Sequence, residues 1–377
     1  MHKNKILLSV SLVFIFITQS LHAQQALEIR DYQSVITGAM QFDAYLPLLK
    51  NKRVAILTNV SGKVGNTSIV DTLLSLKVDI WKIFGPEHGF RADADAGEKV
   101  QNARDEKTGI PVISLYGNNK KPTADQLGDI DVLVYDIQDI GVRFYTYISS
   151  MCYAMEACAE NGKEMIVLDR PNPNGFYIDG PVLKKEVKSF LGLHPVPIVY
   201  GMTCGEYAQM ANNEGWLKNG VKCKLKVITM KNYERGAAYH LPSKPSPNIP
   251  NTRAILLYPS LGFFEGTIMS LGRGTEFPFQ VLGHPAYPDS TFKFTPLPSK
   301  LSQKPRYVSQ VCKGIDLRQE EILYTHPRRI ELKWLILTYQ LMADTGFFEK
   351  TFDAHAGNRS LKKQIRSGLN EEAIRKT

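Results

Sequence analysis

The amino-acid sequence predicts an α/β fold in which a doubly wound, mostly parallel sheet is followed by a smaller mixed α+β domain. Short apolar segments rich in Val and Ile recur between residues 53 and 169, and such segments are typical of strands buried on both faces of a parallel sheet. Helical segments separate several of them, which indicates a doubly wound arrangement. The pattern changes after Pro181, so we assign residues 24–190 to the first domain and residues 191–377 to the second.

Five strands are predicted in the first domain, and each is followed directly by a short motif that is polar or contains glycine. The predicted strands are residues 54–57, 80–84, 112–115, 132–135 and 165–168. Helices are predicted at residues 67–76 and 147–160, the second of which ends at Asn161-Gly162, a helix-stop pair. In the second domain we expect a helix at residues 201–212, a strand at 223–229, a stretch rich in Pro and Gly at 239–298 and a helix at 332–342.

Residues 1–23 have the composition of a cleaved signal peptide. Lys3 and Lys5 precede an apolar run at residues 6–18, and the small residue Ala23 follows. The run is shorter than the ~20 residues that a membrane-spanning helix needs. We therefore expect an exported protein, periplasmic or extracellular, without a stable membrane anchor.

Composition and missing motifs exclude several classes of function. The net charge of +9 is spread along the chain and does not form the dense basic stripe of a nucleic-acid-binding protein. The five cysteines include no CxxC pair, so no zinc or redox pattern is present. Nucleotide-binding glycine motifs, GxSxG and HExxH are also absent. The sequence therefore predicts no cofactor.

Polar residues at the strand ends predict where the functional site lies. In doubly wound sheets, ligands bind beyond the carboxyl ends of the strands, so these side chains are expected at one edge. They are Asn59, Glu87, His88, Asp136, Gln138, Asp139, Asp169, Arg170 and Asn172. The alternative for each single residue is that it caps a helix or stabilises a turn.

The segment Gly85-Pro86-Glu87-His88-Gly89 is the most specific local indication of a catalytic residue. Pro and Gly hold the carboxylate of Glu87 on a rigid turn at a strand end, which suits a general acid. His88 is expected to orient Glu87 or to contact the substrate. The alternative is that Glu87 caps a helix or forms a salt bridge.

Residues 136–147 place carboxylates, an amide, a guanidinium and two phenols close together in sequence. Arg143 is a candidate to hold a substrate carboxylate by paired hydrogen bonds. Tyr145 and Tyr147 are candidates to stack on sugar rings or donate hydrogen bonds. The alternative is that Asp139 pairs with Arg143 and that the tyrosines belong to the core.

Further candidates come from the later loops. Asp169, Arg170 and Asn172 lie in a loop stiffened by two prolines and either contact substrate or act as scaffold. In the second domain, Asn248, Glu265 and Arg273 are candidates to close the site, since the turn Gly272-Arg273-Gly274 suits presentation of a guanidinium. A metal site formed by His88, Asp136 and Asp139 is an alternative that no spacing requires.

Together these motifs resemble the NamZ-type exo-β-N-acetylmuramidases, long carried as a domain of unknown function. The motifs that carry the resemblance are GPEHGFR, SLYG, DIQDIGVRFYTY, LDRPNP, GMTCGE, PSPNIP and EGT followed by GRGT, and they span residues 30–370. The resemblance implies a Rossmann-like domain, a smaller C-terminal domain and an active site in the cleft between them. It also implies release of N-acetylmuramic acid from the non-reducing ends of peptidoglycan chains, with Glu87 as the catalytic acid.

The resemblance leaves the second catalytic group open among four matched residues, Asp136, Asp139, Tyr147 and Glu265. Glycosidases generally use two carboxyl groups, and their separation decides whether anomeric configuration is retained or inverted. The lactyl carboxylate of a muramyl residue is a ligand for Arg143, Arg170 or Arg273. Two other classes remain as alternatives: a non-catalytic protein that binds peptidoglycan fragments, and a metal-dependent hydrolase using His88, Asp136 and Asp139.

Overall fold

A computed structural model describes residues 29–31, 34–91, 103–236, 238–288, 290–299, 302–321, 328–343 and 346–377. The predicted signal peptide lies outside these residues, so it stays a prediction. None of the described helices combines the length and the apolar character needed to cross a bilayer.

The strands form one large sheet and three small ones. In chain order they are β1 (Ile29–Asp31), β2 (Val54–Thr58), β3 (Lys63–Val64), β4 (Thr67–Ser68), β5 (Ile80–Gly85), β6 (Ala103–Arg104), β7 (Pro111–Ser114), β8 (Val132–Asp136), β9 (Glu164–Leu168), β10 (Lys224–Ile228), β11 (Ala238–His240), β12 (Val281–His284), β13 (Lys293–Phe294) and β14 (Cys312–Asp316). The large sheet has the order β10-β9-β8-β2-β5-β7-β6. All its pairings are parallel except that of β6 with β7. The predicted strands are confirmed.

The helices are α1 (Phe42–Leu49), α2 (Ile69–Ser75), α3 (Ala124–Leu127), α4 (Tyr147–Glu160), α5 (Cys204–Asn213), α6 (Thr252–Leu261), α7 (Lys333–Met342), α8 (Phe352–Ala356), α9 (Ser360–Arg366) and α10 (Glu371–Arg375). Four of them, α2, α4, α5 and α7, confirm predicted helices. Short 3₁₀ helices span Gly38–Met40, Lys185–Val187, Lys218–Gly220 and Gly262–Gly266.

Alternate residues of the central strands enter two different cores, which shows that helices cover both faces of the sheet. Val54 and Ile56 pack with the apolar side chains of α1 and α2. Ala55 and Leu57 pack with those of α4 and α5. Because side chains alternate along a strand, a sheet buried on both faces gives continuous apolar segments. The predicted doubly wound, Rossmann-like fold is confirmed.

The later helices and the small antiparallel sheet pack on the face of the large sheet that α4 covers. The antiparallel sheet has the order β12-β14-β13, and helices α6 to α10 share one continuous core with α4. The predicted boundary near residue 190 does not coincide with the end of the large sheet, because β10 pairs with β9 along its full length. The boundary itself stays a prediction.

The five cysteines are all buried and unpaired. Cys152 and Cys158 lie in α4 with no exposed surface, as expected for core residues. Burial raises the pKa of the Cys223 thiol to about 12, so this sulfur is held as a neutral thiol. The described cysteines therefore act as small apolar residues.

Candidate active site

A cavity of about 530 Å³ receives side chains from both parts of the chain. The loops after the strands contribute Glu87, His88, Tyr116 and residues 144–147, while the later part contributes Ser246, Asn248, Tyr258, Glu265, Arg273 and His355. The chain passes from β2 outwards to β5 and β7, then returns to β8 on the other side of β2. Such a reversal of strand order opens a crevice at the carboxyl ends of the strands. The cavity contains Glu87 from the loop after β5, so it is the candidate site.

A tight turn directly after β5 places Glu87 at the cavity. The Gly89 amide donates to the Pro86 carbonyl oxygen at 2.9 Å, and His88 adopts a left-handed backbone with φ of +71°. Such a conformation is uncommon for a residue with a Cβ and is found at functional turns. The Thr146 hydroxyl donates to Glu87 Oε2 at 2.9 Å. Glu87 Oε1 makes no hydrogen bond to a described residue, so it is the oxygen available to a ligand.

A second carboxylate, Glu265, lies in the same cavity and is paired with Arg273. Arg273 Nη2 donates to Glu265 Oε1 at 2.7 Å, and the Tyr258 hydroxyl approaches Oε2 at 3.4 Å. The Arg273 guanidinium also lies 5.0 Å from the centre of the Phe279 ring, a cation–π contact. Arg273 and Glu265 keep 24% and 25% of their side-chain surface exposed. The pair thus forms a charged wall that remains open to a ligand.

The two tyrosines of the predicted motif form an aromatic wall. Tyr145 and Tyr147 pack edge to face with ring centres 4.9 Å apart. Burial raises the pKa of Tyr147, and the negative charge of Glu87 adds to that increase. The Tyr147 hydroxyl lies beside Asn59 and Tyr145 but makes no well-formed hydrogen bond within the described chain. Tyr147 therefore lines the cavity as a neutral phenol whose enclosed hydroxyl has no fixed partner within the described chain.

The structure brings seven of the predicted site residues to the cavity, and an eighth lies directly behind it. The seven are Glu87, His88, Tyr145, Tyr147, Asn248, Glu265 and Arg273. Asn59 is the eighth; its Oδ1 accepts from the Ser61 amide at 2.9 Å, which leaves its Nδ2 beside the Tyr147 hydroxyl. The other predicted residues are buried in hydrogen bonds of their own.

Asp136 and Arg170 form a buried ion pair and do not line the cavity. Arg170 Nε donates to Asp136 Oδ1 at 2.6 Å, and Nη2 donates to Oδ2 at 2.8 Å. Asp136 is 0% exposed and Arg170 is 4% exposed. Arg170 also donates to the Lys63 carbonyl oxygen at 2.8 Å. The pair ties β8 to the loop after β9, so its role is structural rather than the predicted contact with substrate.

Asp139 and Gln138 also bind the protein itself. Asp139 Oδ2 accepts from the Gly141 amide at 2.6 Å and from the Tyr200 hydroxyl, and burial raises its pKa to about 6. Gln138 Nε2 donates to the carbonyl oxygens of Asp139 and Pro171 at 2.7 and 2.6 Å. Neither side chain lines the cavity, so the predicted catalytic role of Asp139 has no geometric support.

Asp169 and Asn172 shape the loop after β9. Asp169 accepts from the Thr203 hydroxyl at 2.7 Å and the Gly205 amide at 2.8 Å, and burial raises its pKa to about 6. Asn172 Nδ2 donates to the Met202 carbonyl oxygen at 2.8 Å. Of the two roles considered for this loop, the structure supports scaffolding.

Arg143 departs from both of its predicted roles. Its side chain is 0% exposed, and its guanidinium donates to three carbonyl oxygens, those of Pro181 (2.9 Å), Val196 (3.0 Å) and His355 (3.3 Å). It therefore neither faces a substrate carboxylate nor pairs with Asp139. Burial lowers its pKa to about 10. Arg143 thus links three segments that are distant in the chain, and it lies beneath the cavity.

We expect Gly357→Ala to destabilise the protein by about 2 kcal/mol, because Gly357 has φ of +77° and a Cβ there would lie 2.0 Å from Arg143 Nη2. The guanidinium is held by three carbonyl groups and cannot easily retreat. Chemical denaturation measures the change. Gly368→Ala is the matched control, since Gly368 has φ of +76° with open space around it; equal losses would show that Arg143 offers no steric constraint.

The three residues of the alternative metal site do not lie together in the structure. His88 lies at the cavity, whereas Asp136 is bound to Arg170 and Asp139 to Tyr200. Within the described part of the chain, no group of three or more His, Cys, Asp or Glu side chains is arranged to hold a metal ion.

The cavity-lining residues that sequence reasoning did not name as candidates include Tyr258, Phe279, Thr351 and His355. Tyr258 lies on α6, which occurs within the stretch predicted to be rich in Pro and Gly and contains Pro259. Asn251 could have indicated where this helix begins, because Asn is a common N-cap residue. Its side chain accepts a hydrogen bond from the Ala254 amide at 2.9 Å. Thr351 directly precedes the short helix α8 and His355 lies on it, and the sequence has no strong apolar period there.

A second cavity, of about 480 Å³, lies between Asp179, Phe263 and the helices near the C-terminal end. Two of its charged groups are paired with each other, since Arg375 donates to Asp179 Oδ1 at 3.1 Å. It contains none of the predicted site residues. We therefore place the chemistry in the cavity that contains Glu87.

Comparison with known proteins identifies close relatives along nearly the whole chain. The families described as exo-beta-N-acetylmuramidase NamZ, N-terminal and C-terminal, match residues 54–253 and 256–377. The peptidoglycan beta-N-acetylmuramidase NamZ of Bacillus subtilis (strain 168) is 40% identical over 358 residues, which cover 88% of this chain and 84% of that protein.

Solved structures agree with the fold. A crystal structure of a DUF1343 family protein from Bacteroides fragilis NCTC 9343 is 43% identical, with a TM-score of 0.83, and the match covers 90% of this chain and 93% of that one. A second DUF1343 protein from the same organism is 32% identical, with a TM-score of 0.78 and coverage of 91% and 94%.

Proposed function

Because the chain belongs to the NamZ exo-β-N-acetylmuramidase family, we propose that it is an exo-acting glycosidase that releases N-acetylmuramic acid from the non-reducing ends of peptidoglycan fragments. The observation that supports this most strongly is the position of Glu87. Its carboxyl group lies in a cavity large enough for a sugar, next to Thr146 and in the same space as a second carboxylate, Glu265.

Glu87 is assigned as the general acid. Cleavage of a glycosidic bond requires a proton for the leaving oxygen while positive charge develops on the sugar. The Thr146 hydroxyl occupies Oε2, so Oε1 presents the proton to the substrate. The hydrogen bond from Thr146 holds the carboxyl group in place, which lowers the entropic cost of reaching the reactive geometry.

Glu265 is assigned as the second catalytic group. Of the four candidates from the resemblance, Asp136 and Asp139 are bound within the protein, whereas Tyr147 and Glu265 face the cavity. The pairing of Glu265 with Arg273 supports a negative charge, which stabilises the oxocarbenium-like transition state. Tyr147 is assigned as a neutral hydrogen-bond donor to the substrate.

Arg273 is assigned as the residue that binds the lactyl carboxylate of the muramyl residue. Of the three arginines considered for this contact, Arg143 binds carbonyl groups and Arg170 binds Asp136. Arg273 lines the cavity with 24% of its side-chain surface exposed, and its enclosed Nη1 makes no hydrogen bond to a described residue. A guanidinium with a free N–H is well suited to a carboxylate.

We expect Arg273→Met to lower kcat/KM on an aryl N-acetylmuramide by ~10- to 100-fold, because a hydrogen bond to a charged group contributes ~1.5–3 kcal/mol. Activity on the matching N-acetylglucosaminide, which lacks the lactyl group, is expected to fall by a smaller factor, because the loss of the ion pair with Glu265 affects both substrates and the loss of the lactyl contact affects only the first. Steady-state kinetics on both substrates give the ratio. Arg318→Met, which removes an exposed arginine paired with Asp316, is the control. An unchanged ratio in Arg273→Met would remove the residue from this role.

Export to the periplasm or the extracellular space is part of the proposal, since peptidoglycan lies outside the cytoplasm and residues 1–23 have the composition of a signal peptide. N-terminal sequencing of the protein recovered from its native compartment tests it, and the expected first residue is Gln24. Recovery with Met1 intact would contradict export by cleavage.

Product analysis on a defined MurNAc–GlcNAc disaccharide tests the proposed function directly. The expected products are free N-acetylmuramic acid and N-acetylglucosamine. The alternative of a non-catalytic glycan-binding protein predicts saturable binding of the disaccharide without products.

A further inference from the structure

His355 lines the cavity but has no part in the function proposed above. It lies on α8, and its side chain is only 5% exposed. The ring packs against Phe144, with ring centres 5.7 Å apart. A buried histidine beside a catalytic cavity is either a filler or a ligand-binding group, and its hydrogen bonds decide between the two.

The hydrogen bonds of His355 leave one ring nitrogen available. Nδ1 lies 3.0 Å from the Thr351 carbonyl oxygen, which can only accept, so Nδ1 carries the proton. Nε2 is then an acceptor, and it makes no hydrogen bond within the described chain. Nε2 is also not among the enclosed polar atoms that lack a partner, so it keeps some accessible surface, and the residue lines the cavity. Burial lowers the pKa of His355, so the ring stays neutral at neutral pH.

Several close contacts fix the position of His355. Arg143 Nη2 donates to the His355 carbonyl oxygen at 3.3 Å, and the absence of a Cβ at Gly357 allows this approach. At the other end of α8, a Cβ on Gly266 would lie 2.5 Å from the Phe352 Cα. The helix is therefore packed closely at both ends, which fixes the place of His355 on the cavity wall.

We propose that His355 is a substrate-binding residue whose Nε2 accepts a hydrogen bond from a hydroxyl or amide N–H group of the terminal sugar, and that Arg143 is the positioning residue that holds it there. The inference rests on the proposed function, because the ligand is the sugar that occupies the cavity with Glu87. A neutral acceptor suits a hydroxyl or amide donor and not the lactyl carboxylate, so His355 and Arg273 contact different groups of one substrate.

The test compares two amide variants of similar polarity and different reach. His355→Gln retains an acceptor near the position of Nε2, whereas the side chain of His355→Asn is too short. We expect His355→Asn to lower kcat/KM on an aryl N-acetylmuramide by ~10- to 100-fold, since a donor group of the bound sugar would be left buried and unpaired. His355→Gln is expected to recover at least half of that loss on a logarithmic scale. Calorimetric binding of N-acetylmuramic acid should follow the same order.

The melting temperatures of both variants separate folding from binding. Equal losses of kcat/KM in His355→Gln and His355→Asn, with equal melting temperatures, would overturn the inference, as would unchanged kinetics in His355→Asn. Arg143→Lys, which changes a side chain buried beneath the cavity, is expected to weaken binding of N-acetylmuramic acid in the same direction as His355→Asn. Unaltered binding would overturn the role given to Arg143. If the unaltered protein released no N-acetylmuramic acid, the proposed function itself would fail, whatever the variants showed.

Discussion

Replacing Glu87 with Gln is expected to lower kcat on the MurNAc–GlcNAc disaccharide by ~10²- to 10⁴-fold, the usual contribution of a general acid. The amide keeps the hydrogen bond from the Thr146 hydroxyl but has no acidic proton for the leaving oxygen. Since size and polarity are nearly unchanged, KM should vary by a much smaller factor than kcat. Steady-state measurement of released N-acetylmuramic acid gives both quantities.

The matched control for this variant is Glu106→Gln, an exposed glutamate far from the cavity wall. Wild-type kcat is expected for the control. A Glu87→Gln protein with full turnover and a normal melting temperature would exclude Glu87 as the proton donor.

The largest expected effect on stability belongs to Arg170. Arg170→Met removes the guanidinium that holds both oxygens of Asp136, and the carboxylate has no exposed surface through which water can replace it. Leaving one member of a buried ion pair uncompensated costs ~3–5 kcal/mol. Urea unfolding measures this loss. Arg318→Met, which breaks an exposed pair with Asp316, is expected to cost ~0–1 kcal/mol.

A double replacement sharpens the test of this ion pair. Asp136→Leu combined with Arg170→Met removes both charges, and a well-packed apolar pair can substitute for a buried ion pair. The double variant is therefore expected to be more stable than Arg170→Met alone. If Arg170→Met unfolded at the wild-type urea concentration yet lost activity, the result would contradict a structural role for Arg170 and would favour the substrate contact predicted from the sequence.

The sheet could be predicted from the sequence because its physical signal is local. A strand buried on both faces is apolar at nearly every position. In β2 and β8 all five residues are buried, and only the last residue of each, Thr58 and Asp136, is strongly polar. The rule that ligands bind beyond the strand ends then located the cavity. Glu87 was predicted correctly as a cavity residue because it lies two positions beyond the end of β5.

The same rule could not distinguish cavity residues from those buried beneath the edge. Asp136 is the last residue of β8 and is still enclosed by neighbouring strands, so its charge requires an internal partner. Nothing local in the sequence identifies that partner as Arg170, which lies 34 positions later in the chain. Arg143 is a similar case, because its carbonyl partners come from Pro181, Val196 and His355.

The wall contributed by the later part of the chain was the least predictable. Tyr258 and His355 reach the cavity only because their helices pack against Phe144, at ring separations of 5.5 and 5.7 Å. Gly262 makes this packing possible, since a Cβ there would lie 2.1 Å from the Phe144 ring. Such complementarity between distant segments is a tertiary property that no spacing in the sequence encodes.

The measurement that tests proton donation by Glu87 most directly varies the leaving group. In Glu87→Gln, kcat/KM on the MurNAc–GlcNAc disaccharide should fall by ~10²- to 10⁴-fold, because a sugar alkoxide cannot leave without a proton. On a 2,4-dinitrophenyl N-acetylmuramide, whose leaving group needs no protonation, kcat/KM should fall by less than about tenfold on the same reasoning. An equal loss on both substrates would show that Glu87 acts in some other way and would contradict the mechanism.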